Sequence, residues 1–155
     1  MHQLDELSGA MKSTDGKFDT FRAVIHPWQC DVMGHMATRH YSPMFEDASY
    51  HLFSMMGVSG ERDDGLGWAD VRQEYEYLKE VRRGDLLLLQ SYPVKLGSKS
   101  ITYVHEMKDA ESDDLKTRVT TISVRFDLKA RSAVPIEDEI RQRIEANLLI
   151  SALSE

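Results

Sequence analysis

One segment of the chain has the pattern of a long helix that is buried along a broad face. It runs from about His40 to Met56, and its apolar stripe is widened by two phenylalanines. The residues at four-residue steps are Met44, Ala48, Leu52 and Met56. Gly57 favours a stop directly after the helix. A helix with so broad an apolar face must be covered by other elements of the fold.

Most of the remaining pattern is typical of β-strands. The predicted strands cover Phe21–His26, then 71–77, 86–96, 101–107 and 119–128, with short turns between the last four. Short turns join antiparallel neighbours. Pro93 indicates an edge strand or a bulge in the third of these strands. A last helix is predicted to open at Pro135.

These patterns predict an α+β fold. A curved antiparallel sheet of about five strands wraps one long central helix, and a C-terminal helix follows. The chain contains no internal repeat and no linker-like tract. We therefore expect a loose N-terminal extension over residues 1–18 and a single domain over residues 19–150.

The composition excludes several protein classes. The chain has 155 residues, of which 41% are hydrophobic and 29% charged, as in soluble globular proteins. No apolar run approaches the ~20 residues that cross a bilayer, and the N-terminus lacks the layout of a signal peptide. Cys30 is the sole cysteine and excludes an internal disulfide. We expect a cytoplasmic protein that does not associate with a membrane.

The charge argues against a nucleic-acid partner. The formal net charge is −7, and an acidic chain is poorly suited to hold a polyanion. A small phosphate-bearing ligand remains compatible with local basic clusters. Such clusters occur at Lys79, Arg82 and Arg83, and at Lys95 and Lys99.

The segment between the first strand and the long helix is the most informative for chemistry. It holds a carboxylate, Asp31, and a glycine, Gly34, shortly before a helix N-terminus. Free amides and the positive dipole end there suit an anion or a developing oxyanion, and Asp31 could act as a base or a nucleophile. Alternatively, Asp31 is only a turn or capping residue. The sequence has no serine-hydrolase elbow, zinc-protease motif or P-loop.

This segment resembles a signature of hotdog-fold acyl-CoA thioesterases of the 4-hydroxybenzoyl-CoA thioesterase-like family. The matching residues are Asp31-x-x-Gly34-His35-Met36, Tyr41, Phe45-Glu46, the run 81–85, the run 97–100 and Asp127. The resemblance implies a hotdog fold and thioester hydrolysis with neither metal nor cofactor. It also implies a dimer or a dimer of dimers, with active sites at the subunit interface.

The resemblance also implies roles for individual residues. Asp31 is expected to be the nucleophile or general base, and amides near Thr38 and Arg39 to polarise the thioester carbonyl. His35 is expected to orient polar groups in the loop. The family's asparagine is replaced here by Ala37-Thr38, which makes Thr38 a substitute candidate. From charge and turn position, we expect Arg82, Arg83 and Lys99, with Ser98 beside it, to face the CoA phosphates.

Two further features leave alternatives open. Glu46 is a second acid candidate, although it could simply compensate the helix dipole or pair with His35 or Arg39. Trp28, Trp68 and Tyr50 could form an aromatic box for a cationic acyl group, since a subgroup of the family acts on betainyl-CoA. In the alternative, these rings are core residues and the acyl group is an ordinary aliphatic or aromatic one.

Other functions are compatible with the same fold. A protein that binds an acyl thioester without hydrolysing it is one, and a dehydratase that uses His35 and Glu46 is another. A metal site at His26, His35 and His40 is not expected, because their spacing matches no known ligand signature.

Overall fold

A computed structural model describes residues 12–59 and 65–149 of the chain. Its strands and helices are β1 (Phe18–Val24), α1 (Tyr41–Met56), β2 (Leu66–Tyr77), β3 (Leu86–Leu96), β4 (Ser100–Asp109), β5 (Leu115–Asp127), β6 (Ser132–Ala133) and α2 (Asp138–Glu145). Short 3-10 turns lie at Pro27–Gln29 and Thr38–His40. Within the described residues, neither α1 nor α2 is both long and apolar enough to cross a bilayer.

The sheet confirms the predicted architecture. Five antiparallel strands follow the order β1-β3-β4-β5-β2, and the two-residue β6 adds to the end of β5. The inner face of the sheet packs against α1, whose buried side is the predicted apolar stripe. The helix is therefore enclosed by a bent sheet, and β2 is left as an edge strand.

Pro93 lies in an interior strand and not at an edge. β3 runs between β1 and β4, and the register of β3 against β4 shifts between Pro93 and Lys95. The pairing of β1 with β3 ends at Ser91. The missing N–H of Pro93 therefore falls beyond the reach of β1, so the prediction of a bulge is confirmed and that of an edge strand is wrong.

The last helix begins at Asp138, three residues later than predicted. Residues 135–137 are extended because two contacts hold them. The amide of Ile136 donates to Ser98 O at 2.9 Å, and Glu137 accepts two hydrogen bonds from Arg125 at 2.9 and 3.0 Å. Only after this anchored segment can the chain turn into α2.

The predicted extension over residues 1–18 lies mostly outside the described residues. In the described part, residues 12–17 form a turn in which the Ser13 amide donates to Lys17 O at 2.7 Å. β1 then begins at Phe18, earlier than the strand predicted from Phe21. The domain boundaries at residues 19 and 150 remain predictions.

Candidate active site

Asp31 lies in a tight exposed turn between β1 and α1. Its Oδ1 accepts hydrogen bonds from the amides of Met33 at 2.9 Å and of His35 at 3.4 Å. The Asp31 amide donates to His35 O at 2.8 Å, which closes the turn. Gly34 adopts φ +83, a conformation that glycine accepts without strain. The turn thus fixes one carboxylate oxygen of Asp31, and Oδ2 forms no hydrogen bond with the described residues.

Two backbone amides follow the Asp31 turn and have no acceptor within the 3-10 turn at Thr38–His40; they are those of Thr38 and Arg39. The first hydrogen bond of the 3-10 turn at Thr38–His40 runs from the His40 amide to Ala37 O at 3.0 Å. The amides of Thr38 and Arg39 precede that bond and have no acceptor within the helical turn. α1 follows directly from Tyr41. A carboxylate and two such N–H donors therefore occupy one connection, and their catalytic roles remain predictions.

His35 connects the Asp31 turn to the β2–β3 connection. Its backbone pairs with Arg82, and its Nε2 lies 3.0 Å from Glu80 Oε2. Arg82 also reaches Glu80 at 2.9 Å, and this hydrogen bond lowers the pKa of Glu80 below its usual value. A polar surface groove of about 520 Å³ opens here, lined by Lys79, Glu80, Arg82, Asp85 and Lys116. Three cationic side chains therefore lie beside the segment that carries Asp31.

The other predicted basic residues lie elsewhere. Arg83 is exposed in the same turn as Arg82 but does not line the groove. Ser98 and Lys99 lie in the turn after β3, and Arg82 lies before it, so the 11 residues of β3 separate them. That separation is roughly 35 Å along the strand. One chain therefore does not bring Ser98 and Lys99 to Asp31.

A second, more apolar cavity of about 500 Å³ lies between α1 and β2. It is lined by Glu46, Ser49, Tyr50, Phe53, Ser59, Leu66, Gly67, Trp68, Asp70, Tyr103 and Leu128. Two of the three rings of the predicted aromatic box, Tyr50 and Trp68, meet here. The third, Trp28, is 68% exposed and packs edge-on against His40 outside this cavity. Asp31 does not line this cavity, whereas Glu46 does.

A chain of polar side chains runs from Asp70, which is exposed at this cavity, into the buried core. Ser123 donates to Asp70 Oδ1, which also lies 3.3 Å from Tyr103 OH. Tyr103 OH is also 3.3 Å from Ser49 Oγ, which in turn lies 2.9 Å from His105 Nε2. From there the chain continues through Ser91 to Thr20 on β1. The cavity carboxylate is thereby anchored to the centre of the sheet.

Burial determines the protonation of this polar chain. Desolvation lowers the pKa of His105 from 6.5 to about 3, so its imidazole is neutral at physiological pH. Desolvation likewise raises the pKa of Tyr103 to about 12, so its hydroxyl keeps its proton. The hydroxyls of Ser123 and Tyr103 beside Asp70 therefore keep their protons at physiological pH.

Sequence reasoning missed Asp70, Ser49 and Tyr103 as site residues. Their grouping depends on the pairing of β2 with β5, which places Asp70 opposite Ser123, and on the packing of α1 over both strands. The sequence feature that pointed to this cavity was the predicted aromatic box, of which Tyr50 on α1 and Trp68 on β2 line the cavity. Among the described residues, no three histidine, cysteine or acidic side chains form a metal-binding group.

Comparison with proteins of known structure supports the fold. A Staphylococcus aureus protein solved in complex with CoA has a TM-score of 0.74 at 15% identity, with 86% of this chain and 87% of that one covered. A 1,4-dihydroxy-2-naphthoyl-CoA thioesterase from Synechocystis has a TM-score of 0.70 at 19% identity, with 81% and 94% covered. At these identities, the likeness concerns the fold.

One curated relative is a much longer protein. It is the L-carnitine dehydrogenase/betainyl-CoA thioesterase of Rhizobium meliloti, and it is 24% identical over 141 residues. The match covers 90% of this chain but 27% of that protein, so this chain spans about a quarter of the relative.

The family comparison is decisive for classification. Residues 25–144 match the family model of the thioesterase-like superfamily. This range includes the Asp31 turn, α1, the strands β2 to β5 and most of α2. The predicted hotdog fold is confirmed by the bent sheet around α1, and the chain belongs to the thioesterase-like superfamily.

Proposed function

We propose that the protein is an acyl-CoA thioesterase in which Asp31 is the nucleophile or general base. The observation that carries the proposal is the single connection that holds both a fixed carboxylate and two amides left unpaired by the helical turn. Asp31 is held by the amides of Met33 and His35, and the amides of Thr38 and Arg39 follow shortly after. Thioester hydrolysis needs these two functions close together.

Each of the two roles of Asp31 gives a balanced reaction. As a general base, Asp31 takes a proton from water, and the hydroxide forms a C–O bond to the thioester carbon. As a nucleophile, Asp31 forms a mixed anhydride, which water then cleaves. In both routes the C–S bond breaks, the CoA thiolate takes up a proton, and the free acid leaves. The amides of Thr38 and Arg39 stabilise the negative carbonyl oxygen in between.

The groove beside His35 is proposed to bind the CoA phosphates. Lys79, Arg82 and Lys116 line it, and the backbone bridge from Arg82 to His35 links it to the Asp31 turn. Positive side chains near an acidic protein's active site attract a polyanionic substrate locally. Arg83 remains a candidate at the rim of this groove. Ser98 and Lys99 remain candidates only for a site to which a second chain contributes.

A homodimer through β2 fits the exposed edge of the sheet. Among the described strands, β2 pairs only with β5 and leaves 12 residues of backbone on its other side. Val71 and Tyr77 on this strand are 60% and 51% exposed. A long free edge with exposed apolar side chains favours pairing with another strand. Pairing with a second copy would cover this edge and shield the neighbouring cavity from water.

Glu46 remains the second candidate for the catalytic acid. It lines the cavity between α1 and β2 and forms no ion pair with a described residue. That finding argues against a partnership with His35, whose ring faces Glu80. Asp31 is preferred because unpaired amides accompany it, whereas Glu46 is in mid-helix, where the backbone donors are already engaged.

The proposed acyl group of the substrate is the betainyl group. The proposed location of the enzyme is the cytoplasm. Two observations support this choice: the name of the Rhizobium relative and the presence of two carboxylates and several rings in one cavity. Carboxylates and ring faces are the groups that recognise a quaternary ammonium.

Thiol release from a panel of acyl-CoA thioesters tests the proposed activity. We expect the purified 155-residue chain to release CoA thiol and an equimolar amount of free acid. Tight binding of acyl-CoA without release would contradict hydrolysis and support a binding protein instead. Formation of an unsaturated acyl-CoA from a hydroxyacyl-CoA, with no thiol released, would point to a dehydratase.

A further inference from the structure

We propose that Asp70 is the residue that selects a permanently cationic acyl group, held in the cavity between α1 and β2. This inference rests on the proposed thioesterase function and names the specificity determinant of that same enzyme. It extends beyond betainyl-CoA to acyl groups that end in a quaternary ammonium. The supporting observations are the charge of the cavity, the state of its hydrogen-bond donors and the way Asp70 is held.

The described lining of the cavity carries only negative charge. Asp70 and Glu46 both line it, and no described lining residue is a lysine or an arginine. Neither carboxylate forms an ion pair with any residue in the ranges 12–59 and 65–149. A cation that enters the cavity therefore meets two carboxylates with which no described residue forms an ion pair, and these carboxylates disfavour an anionic acyl group.

Most donors around the cavity are already occupied. The Trp68 indole N–H donates to Val58 O at 3.0 Å, and the Ser49 hydroxyl is shared between Phe45 O and His105. The Tyr103 hydroxyl lies within 3.3 Å of both Asp70 and Ser49. A polar neutral acyl group would find few free donors here. A quaternary ammonium needs none, because it cannot accept a hydrogen bond.

The aromatic surface of the cavity comes chiefly from Tyr50. Trp68 is stacked on Phe53 with ring centroids 5.2 Å apart, and the Arg125 guanidinium lies 5.3 Å from the Trp68 ring. Tyr50 is 70% exposed, and its ring contacts no other described ring. Its faces are therefore free for a cation, and the Phe53–Trp68 stack forms an apolar wall beside them.

Asp70 is fixed in a way that suits recognition. Ser123 and Tyr103, both fully buried, bind the same oxygen, Oδ1. Oδ2 forms no hydrogen bond with a described residue. One oxygen therefore holds the side chain in place, and the other carries charge that no described protein group neutralises. Preorganised charge of this kind needs no rearrangement when a cation binds.

A binding experiment tests the site without any turnover. The chain has two tryptophans, so an ¹⁵N spectrum shows two indole N–H signals, and Trp28→Phe assigns them. We expect tetramethylammonium to shift the Trp68 signal in a saturable manner and to leave the Trp28 signal in place. Asp70→Asn should abolish the saturable shift. Equal shifts of both signals, or the same shift with neutral neopentyl alcohol, would overturn the proposal.

A kinetic experiment tests the same residue in the working enzyme. Betainyl-CoA and 3,3-dimethylbutyryl-CoA differ only in a quaternary nitrogen that replaces a carbon. We expect wild type to favour the cation, and Asp70→Asn to reduce the ratio of the two kcat/KM values by about tenfold. Asp47→Asn, which removes a charge from α1 outside the cavity, should preserve the ratio.

The outcomes separate the two proposals. If both substrates are hydrolysed with a ratio near one, or if Asp70→Asn leaves the ratio unchanged, the selection by Asp70 is contradicted and the thioesterase stands. If tetramethylammonium binds as expected but no acyl-CoA is cleaved, the cation site stands and the proposed hydrolysis fails.

Discussion

Ser49 on α1 and His105 on β4 are joined by a hydrogen bond, with Ser49 Oγ 2.9 Å from His105 Nε2. Both residues are buried, so the bond links the central helix to the middle of the sheet. Ser49→Ala leaves the ring nitrogen without a partner in the core. We expect a loss of about 1–3 kcal/mol in unfolding free energy, measured with urea. Ser54→Ala, at an exposed position of α1, is the matched control. Equal effects of the two changes would contradict this account.

His105 should make stability depend on pH. Its folded-state pKa is about 3, below the ordinary value of 6.5. Between these two pH values, the unfolded chain therefore binds a proton at His105 and the folded chain does not. The contribution is fully present above pH 6.5 and is lost as pH falls from there towards 3. The expected slope from this one group approaches about 1.4 kcal/mol per pH unit.

Urea unfolding between pH 7 and pH 4.5 measures this slope. In His105→Gln, the unfolding free energy should fall less between pH 7 and pH 4.5 than it does in the wild type. His51→Gln, which removes an exposed histidine of α1, should leave the slope in place. A slope that persists in His105→Gln would show that other groups cause the acid sensitivity.

The ion pair of Arg125 with Glu137 should be the strongest anchor of the C-terminal segment. The Arg125 side chain is 1% exposed, and its hydrogen bonds lower the pKa of Glu137. Glu137→Ala removes a charged partner of that buried guanidinium and should lower the unfolding free energy by about 3 kcal/mol. Glu139→Ala breaks an exposed pair with Arg143 and should cost about 0.5 kcal/mol. Thermal and urea unfolding of the two variants would reveal the difference, and equal costs would refute it.

The basic groove should act through the phosphates of CoA. Arg82→Ala and Lys116→Ala are expected to raise KM for an acyl-CoA about fivefold each, with a smaller effect on kcat. The matching acyl-pantetheine thioester lacks the nucleotide phosphates and should show no such change. Lys95→Ala removes an exposed charge on β3 as a control. An equal rise in KM for both substrates would exclude a phosphate contact.

The elements of the fold were predictable, and the cavity was not. Local periodicity defines α1 and the strands, because each needs one apolar face. Trp28 and Trp68 show why the cavity could not be predicted. The sequence does not distinguish the two residues, but the pairing of β2 with β5 brings only Trp68 to the cavity. Asp70 borders a register shift of β2, so its facing residue could not be read from alternation. Likewise, the helix start at Asp138 depends on Arg125, thirteen residues away.

The catalytic role of Asp31 is tested most directly by thiol release from acyl-CoA with Asp31→Asn and Glu46→Gln measured side by side. The amide side chain that replaces the Asp31 carboxylate would still offer an oxygen to the N–H groups of the turn, so the fold should be retained. We expect Asp31→Asn to lower kcat by a factor of about 10²–10⁴, with a far smaller loss for Glu46→Gln. Turnover of Asp31→Asn at the wild-type rate, with activity lost in Glu46→Gln instead, would contradict the central claim and assign the chemistry to α1.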